Sequence, residues 1–261
     1  AALAEANAYV MVFTPCSNKV PFMAQLAKCA DKALSIDPNC GLALTMKGVC
    51  LWDQNNPCEA IKLAYQAVDV SPNDGRHLVH LVPALLNLGK VDEAIDVGQK
   101  ATLVGMPSIT LAYASTIKGE HDLAIKQYSQ TRLMMNAIMN TPTGERPMTE
   151  EELDNYWHVA SNGVCSGRED ARQTYCRLLD HMYATIPDRY DLSIVMPAVW
   201  MGYAEMVFKT LEEDINPANF AALPYLWGHH APANTIREHP DFEKFCDKIG
   251  LIKAWETFGW P

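Results

Sequence analysis

Apolar residues in the first part of the chain recur at the three- and four-residue spacing of amphipathic helices, separated by turn residues. Residues 41–73 write out one helix pair that closes on Ser71-Pro72-Asn73. The segment before it closes in the same way, on Asp37-Pro38-Asn39. Ala60, in Cys58-Glu59-Ala60-Ile61, returns as Ala94, in Asp92-Glu93-Ala94-Ile95. The interval from Pro38 to Pro72 equals that from Ala60 to Ala94, so two independent landmarks share one period. The pattern predicts a helix over 1–13, a break at Thr14-Pro15-Cys16-Ser17-Asn18, and a second helix over 21–36 with Pro21 in its first turn. Units over 1–39, 41–73, 75–107 and 108–140 follow from it.

A 34-residue step is the period of the tetratricopeptide repeat, and the chain resembles that family residue by residue. With Gly41 as position 1, the family's small residues fall on Gly48, Ala60 and Ala67, and its helix-ending proline on Pro72. The unit from Gly75 supplies Leu78, Leu81, Leu85, Ala94 and Ala101, and Gly89 stands where the first helix must stop in a left-handed conformation. Small residues are needed where the two helices of a unit cross closely. Val82, Gly98 and Met106 depart from the family pattern, and the next unit is readable mainly from residues 118–125. The resemblance implies an all-α fold, a right-handed superhelical solenoid of stacked antiparallel helix pairs. A generic helical bundle is the alternative. The family's concave groove carries over to Leu42, Thr45, Val49, Trp52 and Asp53, then to Arg76, Val79, Pro83, Leu86 and Asn87, with Tyr113 and Thr116 from the next unit. Only Arg76 and Asn87 offer the polar grip that carboxylate-binding members use. The implied ligand is therefore a protein or peptide segment, apolar or amphipathic, or a helix from the chain's own second half.

Thr141-Pro142-Thr143-Gly144-Glu145-Arg146-Pro147 divides the repeats (1–140) from a region of degenerate helix pairs (141–261). Thr149 with Glu152, and Ser166 with Glu169, are capping-box spacings that predict helices to about Val164 and from Arg168 to Thr185. Residues 192–213 predict one or two more helices, bent near Pro197 or Gly202, and 216–223 a short one. The ending, Pro240-Asp241-Phe242 through Gly250-Leu251 and Trp255 to Gly259-Trp260-Pro261, resembles the closing segment of the tetratricopeptide-like regions of bacterial adenylate cyclases and winged-helix regulators. It is expected to cap the last unit, with Trp255 in a helix starting near Leu251 and a turn at Gly259 folding Trp260 back.

The 261 residues carry a formal net charge of −10, which repels a phosphate backbone and argues against direct nucleic-acid contact. No apolar run reaches the ~20 residues of a membrane span. The start lacks the basic region of a signal peptide, so none is expected, and it lacks an initiator Met, so an upstream domain is expected. The eight cysteines contain no C-x-x-C pair and read as reduced core thiols of a cytoplasmic protein. His229, His230, His239 and Cys246 have metal-ligand chemistry without a ligand-set spacing, and His77 and His80 share a helix face as packing or surface residues. Phosphate-loop, dinucleotide, nucleophile-elbow and zinc-protease motifs do not occur. The expected protein is non-catalytic, needs no metal or cofactor, and allows a homodimer. It is an interaction or sensory part of a bacterial signalling or transcriptional regulator; a free-standing adaptor and a metal-binding or enzymatic protein are the alternatives.

Overall fold

The computed structural model describes residues 20–106, 119–130, 149–185, 192–213 and 231–261, with isolated positions 2, 112, 115 and 116. Among them every regular element is a helix. The helices are α1 (Val20–Ile36), α2 (Gly41–Asp53), α3 (Pro57–Val70), α4 (Gly75–Asn87), α5 (Val91–Leu103), α6 (His121–Gln130), α7 (Glu150–Cys165), α8 (Glu169–Thr185), α9 (Leu192–Met201), α10 (Ala204–Glu213), α11 (Ala231–Arg237), α12 (Phe242–Lys248) and α13 (Leu251–Phe258). The expected helices over 1–13 and 216–223, and the break at 141–147, lie outside the described residues.

Successive helices pack in chain order from α1 to α5, and the two repeat units share one local logic. Asn56 and Asp74 cap α3 and α4 through side-chain oxygens, and Pro57 fills the first turn of α3, where its missing N–H is no loss. α2 and α3 cross at Gly48, where a Cβ would stand 3.4 Å from Ala60 O. Ala60, Ala67, Ala94 and Ala101 are all buried, as the repeat register requires. Gly89 ends α4 at φ +69°. Met23, Leu26 and Ala30 of α1 pack on Met46, Val49 and Cys50 of α2.

The second half is held differently. Thr149 and Glu152 form the complete capping box at α7, each side chain bonded to the other's backbone N–H. Ser166 does not repeat it: its hydroxyl accepts from Arg168 N, and α8 begins at Glu169. The bend in 192–213 falls at Gly202, φ +71°, between α9 and α10; Pro197 lies within α9. Tyr128, Tyr156, Trp157, Tyr175 and Trp200 meet edge-to-face or tilted in one core with ring centroids 5.3–6.2 Å apart, and the Tyr156 and Tyr175 hydroxyls bond at 2.8 Å.

The closing segment departs from the expected cap. α13 packs on α3, the second helix of the 41–73 unit. An array in which each unit touches only its neighbours has no such contact. Trp255 Nε1 donates to Asn87 O at 2.7 Å across 168 residues of sequence. Locally the tail does as expected: α13 carries Trp255, Gly259 turns at φ +105°, and Trp260 returns to within 5.3 Å of Trp255. Only Trp255 is buried; Trp260 remains 63% exposed.

Candidate functional site

The groove positions implied by the repeat resemblance sort into two groups. Thr45, Val49, Leu86 and Asn87 are buried within the chain itself, whereas Trp52, Asp53, Arg76, Val79 and Pro83 are partly exposed. Tyr113 lies outside the described residues. Thr116 is buried, its hydroxyl donating to Ala112 O at 2.8 Å. Val49 faces α1, and Leu86 belongs to the large core that also contains Trp255. Asn87 is wholly buried, gives its carbonyl to Trp255, and has no partner among the described residues for either atom of its side-chain amide.

Polar chemistry gathers at the α2–α4 contact. The Thr45 hydroxyl donates to Gly41 O at 3.1 Å and lies 2.9 Å from His77 Nδ1. His77 Nε2 is 3.6 Å from Asp74 Oδ2, and Arg76 holds both oxygens of Asp74 at 2.7–3.0 Å. Bonding from Arg76 holds the Asp74 carboxyl down at about 2. A hydroxyl, an imidazole and a carboxylate in this order have the parts of a nucleophilic relay. Thr45 and His77 are buried, however, and the imidazole sits where a Cβ on Gly41 would be, 2.6 Å from Nε2. What the arrangement does is lock one unit to the next. On the same helix, burial and then the neighbouring His77 push His80 down to about 4.

The other reactive groups are likewise engaged. His239 stacks on Phe208 at 4.3 Å, and Cys246 is buried with its thiol pushed up to about 12. His229 and His230 lie outside the described residues. No three His, Cys, Asp or Glu side chains among the described residues converge as a metal set, and every described cysteine is free. A cleft of about 680 Å³ lies between α8 and the α9–α10 turn. In its wall Arg172 grips Glu169 through two nitrogens and reaches Met201 O at 3.4 Å, while Tyr203 donates to Asp180. Residues of this cleft come from four helices, α8 to α11, with no shared period, and the sequence carries no signal for it.

One surface does follow the period. Ile36, Val70 and Val104 recur one repeat apart at the ends of α1, α3 and α5, and are 74%, 38% and 42% exposed. Leu103 beside them is 87% exposed. Asp37 and Asp69 are exposed next to the first two. Sequence reading missed this line because it looked for core and groove positions; the signal was an apolar residue directly before each turn. Among the described residues no helix is long and apolar enough to cross a membrane. Neither a protein-family model, nor a curated protein, nor a solved structure matches the chain.

Proposed function

We propose that the chain is a non-catalytic interaction module of the tetratricopeptide kind, its helix pairs arranged as a superhelical array that holds a protein partner. The reading is carried by the exposed aliphatic line of Ile36, Val70 and Val104. A scattered exposed aliphatic needs no explanation, but exposure that recurs at one repeat position is a regular feature that water alone does not favour. Flanked by Asp37 and Asp69 on a chain of net charge −10, the line suits an amphipathic helix with apolar and basic residues. Helical peptides selected from a displayed library on the whole chain test this. Enriched sequences should carry apolar residues at i, i+3 or i+4, and i+7 with Lys or Arg between them. They should bind the I36E/V70E/V104E variant at least tenfold more weakly while its melting temperature holds. Binding that survives these changes but fails on Trp52→Ala would return the site to the repeat groove.

A second reading places the module in a bacterial signalling or transcriptional regulator, as its sensory or assembly part. It is supported by the closing segment's resemblance to such proteins, and the complete gene tests it. A free-standing adaptor is the outcome if no output domain is encoded with it.

A further inference from the structure

The closing segment lies along an edge made of equivalent turns. Asn55 and Gly89 hold the same place in successive units, one repeat apart, and both have positive φ, +52° and +69°. A Cβ on Gly250 would stand 2.6 Å from Asn55 O, and one on Gly89 would stand 2.4 Å from Pro261 Cβ. Between these anchors Leu251, Ala254 and Trp255 are buried, Trp255 bonds Asn87 O, and the Cys58 thiol lies 3.6 Å from Thr257 Oγ1. One short helix and three further residues thus span two repeats.

We propose that this segment, α13 with residues 259–261, exchanges between two copies of the chain, each docking on the other's turn edge to form a reciprocal dimer. The inference is independent of the partner proposed above. The docked segment already displays a complementary surface, and its partners are residues 55–89, far away in sequence. A second copy offers that surface identically, as in any exchange of an element between protomers. The connection is also poised for it. Only Ile249 and Gly250 separate α12 from α13, and Gly250 makes the corner in the left-handed region. Short hinges of this sort invite exchange. Straightening the corner joins α12 and α13 into one helix with restored backbone bonds. Docking within one chain benefits from an effective concentration of roughly millimolar, so exchange is expected as the protein approaches that range.

Light scattering of the full chain after size-exclusion chromatography, from about 10 μM to about 1 mM, reads the dimer. Gly250→Ala should lower the concentration for dimerisation about tenfold, since a Cβ there meets Asn55 O and disfavours the left-handed corner. Thr257→Cys then reports where the segment is. Opposite Cys58, the new thiol should form a disulfide within one chain in the monomer and between chains in the dimer. Peptide mapping of mixed unlabelled and heavy-labelled copies, oxidised at about 1 mM, tells the two apart. Light–heavy links between Cys58 and the thiol introduced at position 257 support the exchange. A folded G250A chain that stays monomeric at that concentration overturns it, as do dimers whose links all fall within one copy. If G250A does not fold, the T257C mixture with Gly250 intact decides alone: light–heavy links for exchange, links within one chain against it.

Discussion

The pairs α2–α3 and α4–α5 meet through Gly48, Ala60, Ala94 and Ala101, whereas α6, α7, α8 and α9 meet through Tyr128, Tyr156, Trp157, Tyr175 and Trp200. Small residues let two backbones approach at a fixed distance, so the same solution can be written again one period later. Rings fill an irregular space, and each one is shaped by its particular neighbours. A helical contact made of small residues is repeatable; one made of rings is local.

The sharpest break of that comparison is Trp200→Ala. Trp200 is wholly buried, its ring edge-to-face with Tyr128 at 5.6 Å, and truncation leaves a cavity that rigid neighbours do not fill. A loss of about 3–5 kcal/mol is expected in urea unfolding. A loss below about 1 kcal/mol would mean that the ring cluster is no firmer than an ordinary surface contact.

The same contrast explains what was legible beforehand. Ala60, Ala94 and Gly89 announced the repeat register because spacing alone required them, and their burial and backbone geometry agree. The helices of the second half were readable from caps and breakers such as Thr149 and Gly202, but not their packing, which depends on how rings from four helices meet. The docking of α13 on α3 was hidden for another reason. Trp255 announces a buried ring, yet nothing local says that its partner is Asn87, 168 residues away. The groove was legible as positions only; the burial of Thr45, Val49, Leu86 and Asn87 depends on what packs over them.

Ala94→Leu probes the small-residue half. Ala94 is wholly buried in the core between α4 and α5, so three added carbons force the helices apart or strain the rotamer. The expected cost is roughly 1–3 kcal/mol through overpacking. Chemical denaturation checks it, and a change within error would place the small-residue crossing elsewhere.

The two halves should also differ in how strongly they respond to pH. His80 is held neutral in the folded state, down at about 4, by burial and by the neighbouring His77. The unfolded chain therefore binds more protons below pH 6.5, and this stability, full above 6.5, is lost as pH falls towards 4. Allowing for partial exposure, the loss is on the order of 1–2 kcal/mol. Tyr156, Cys165 and Cys246 are pushed the other way, up to about 12, each by burial. Their contribution is complete below the unfolded values of about 9–10 and declines as pH rises beyond them. Hydrogen exchange resolved by peptide should show residues 41–87 opening first between pH 6.5 and 4. Peptides from α7 and α12 should open above pH 10, together with the part of α2 around Cys50, which burial pushes up to about 11. Equal loss in both halves at acid pH would remove His80 as the cause.

The smallest expected effect separates two devices that look alike in sequence. Thr149 and Ser166 each precede a glutamate by three residues. Thr149 accepts from Glu152 N at 3.2 Å while Glu152 returns a bond to Thr149 N at 2.7 Å. The Ser166 hydroxyl instead takes Arg168 N, and Glu169 is drawn away by Arg172, at 2.8 and 2.9 Å, and by Gln173. Thr149→Ala leaves first-turn N–H groups of α7 to water alone and should cost about 1 kcal/mol. Ser166→Ala removes one exposed turn bond and should stay within about 0.5 kcal/mol. Both are read from the urea midpoint at constant m-value, so that each change reports stability and not a shift in compactness. Equal costs would show that the reciprocal bond from Glu152 adds nothing, and that the hydroxyl alone sets the start of either helix.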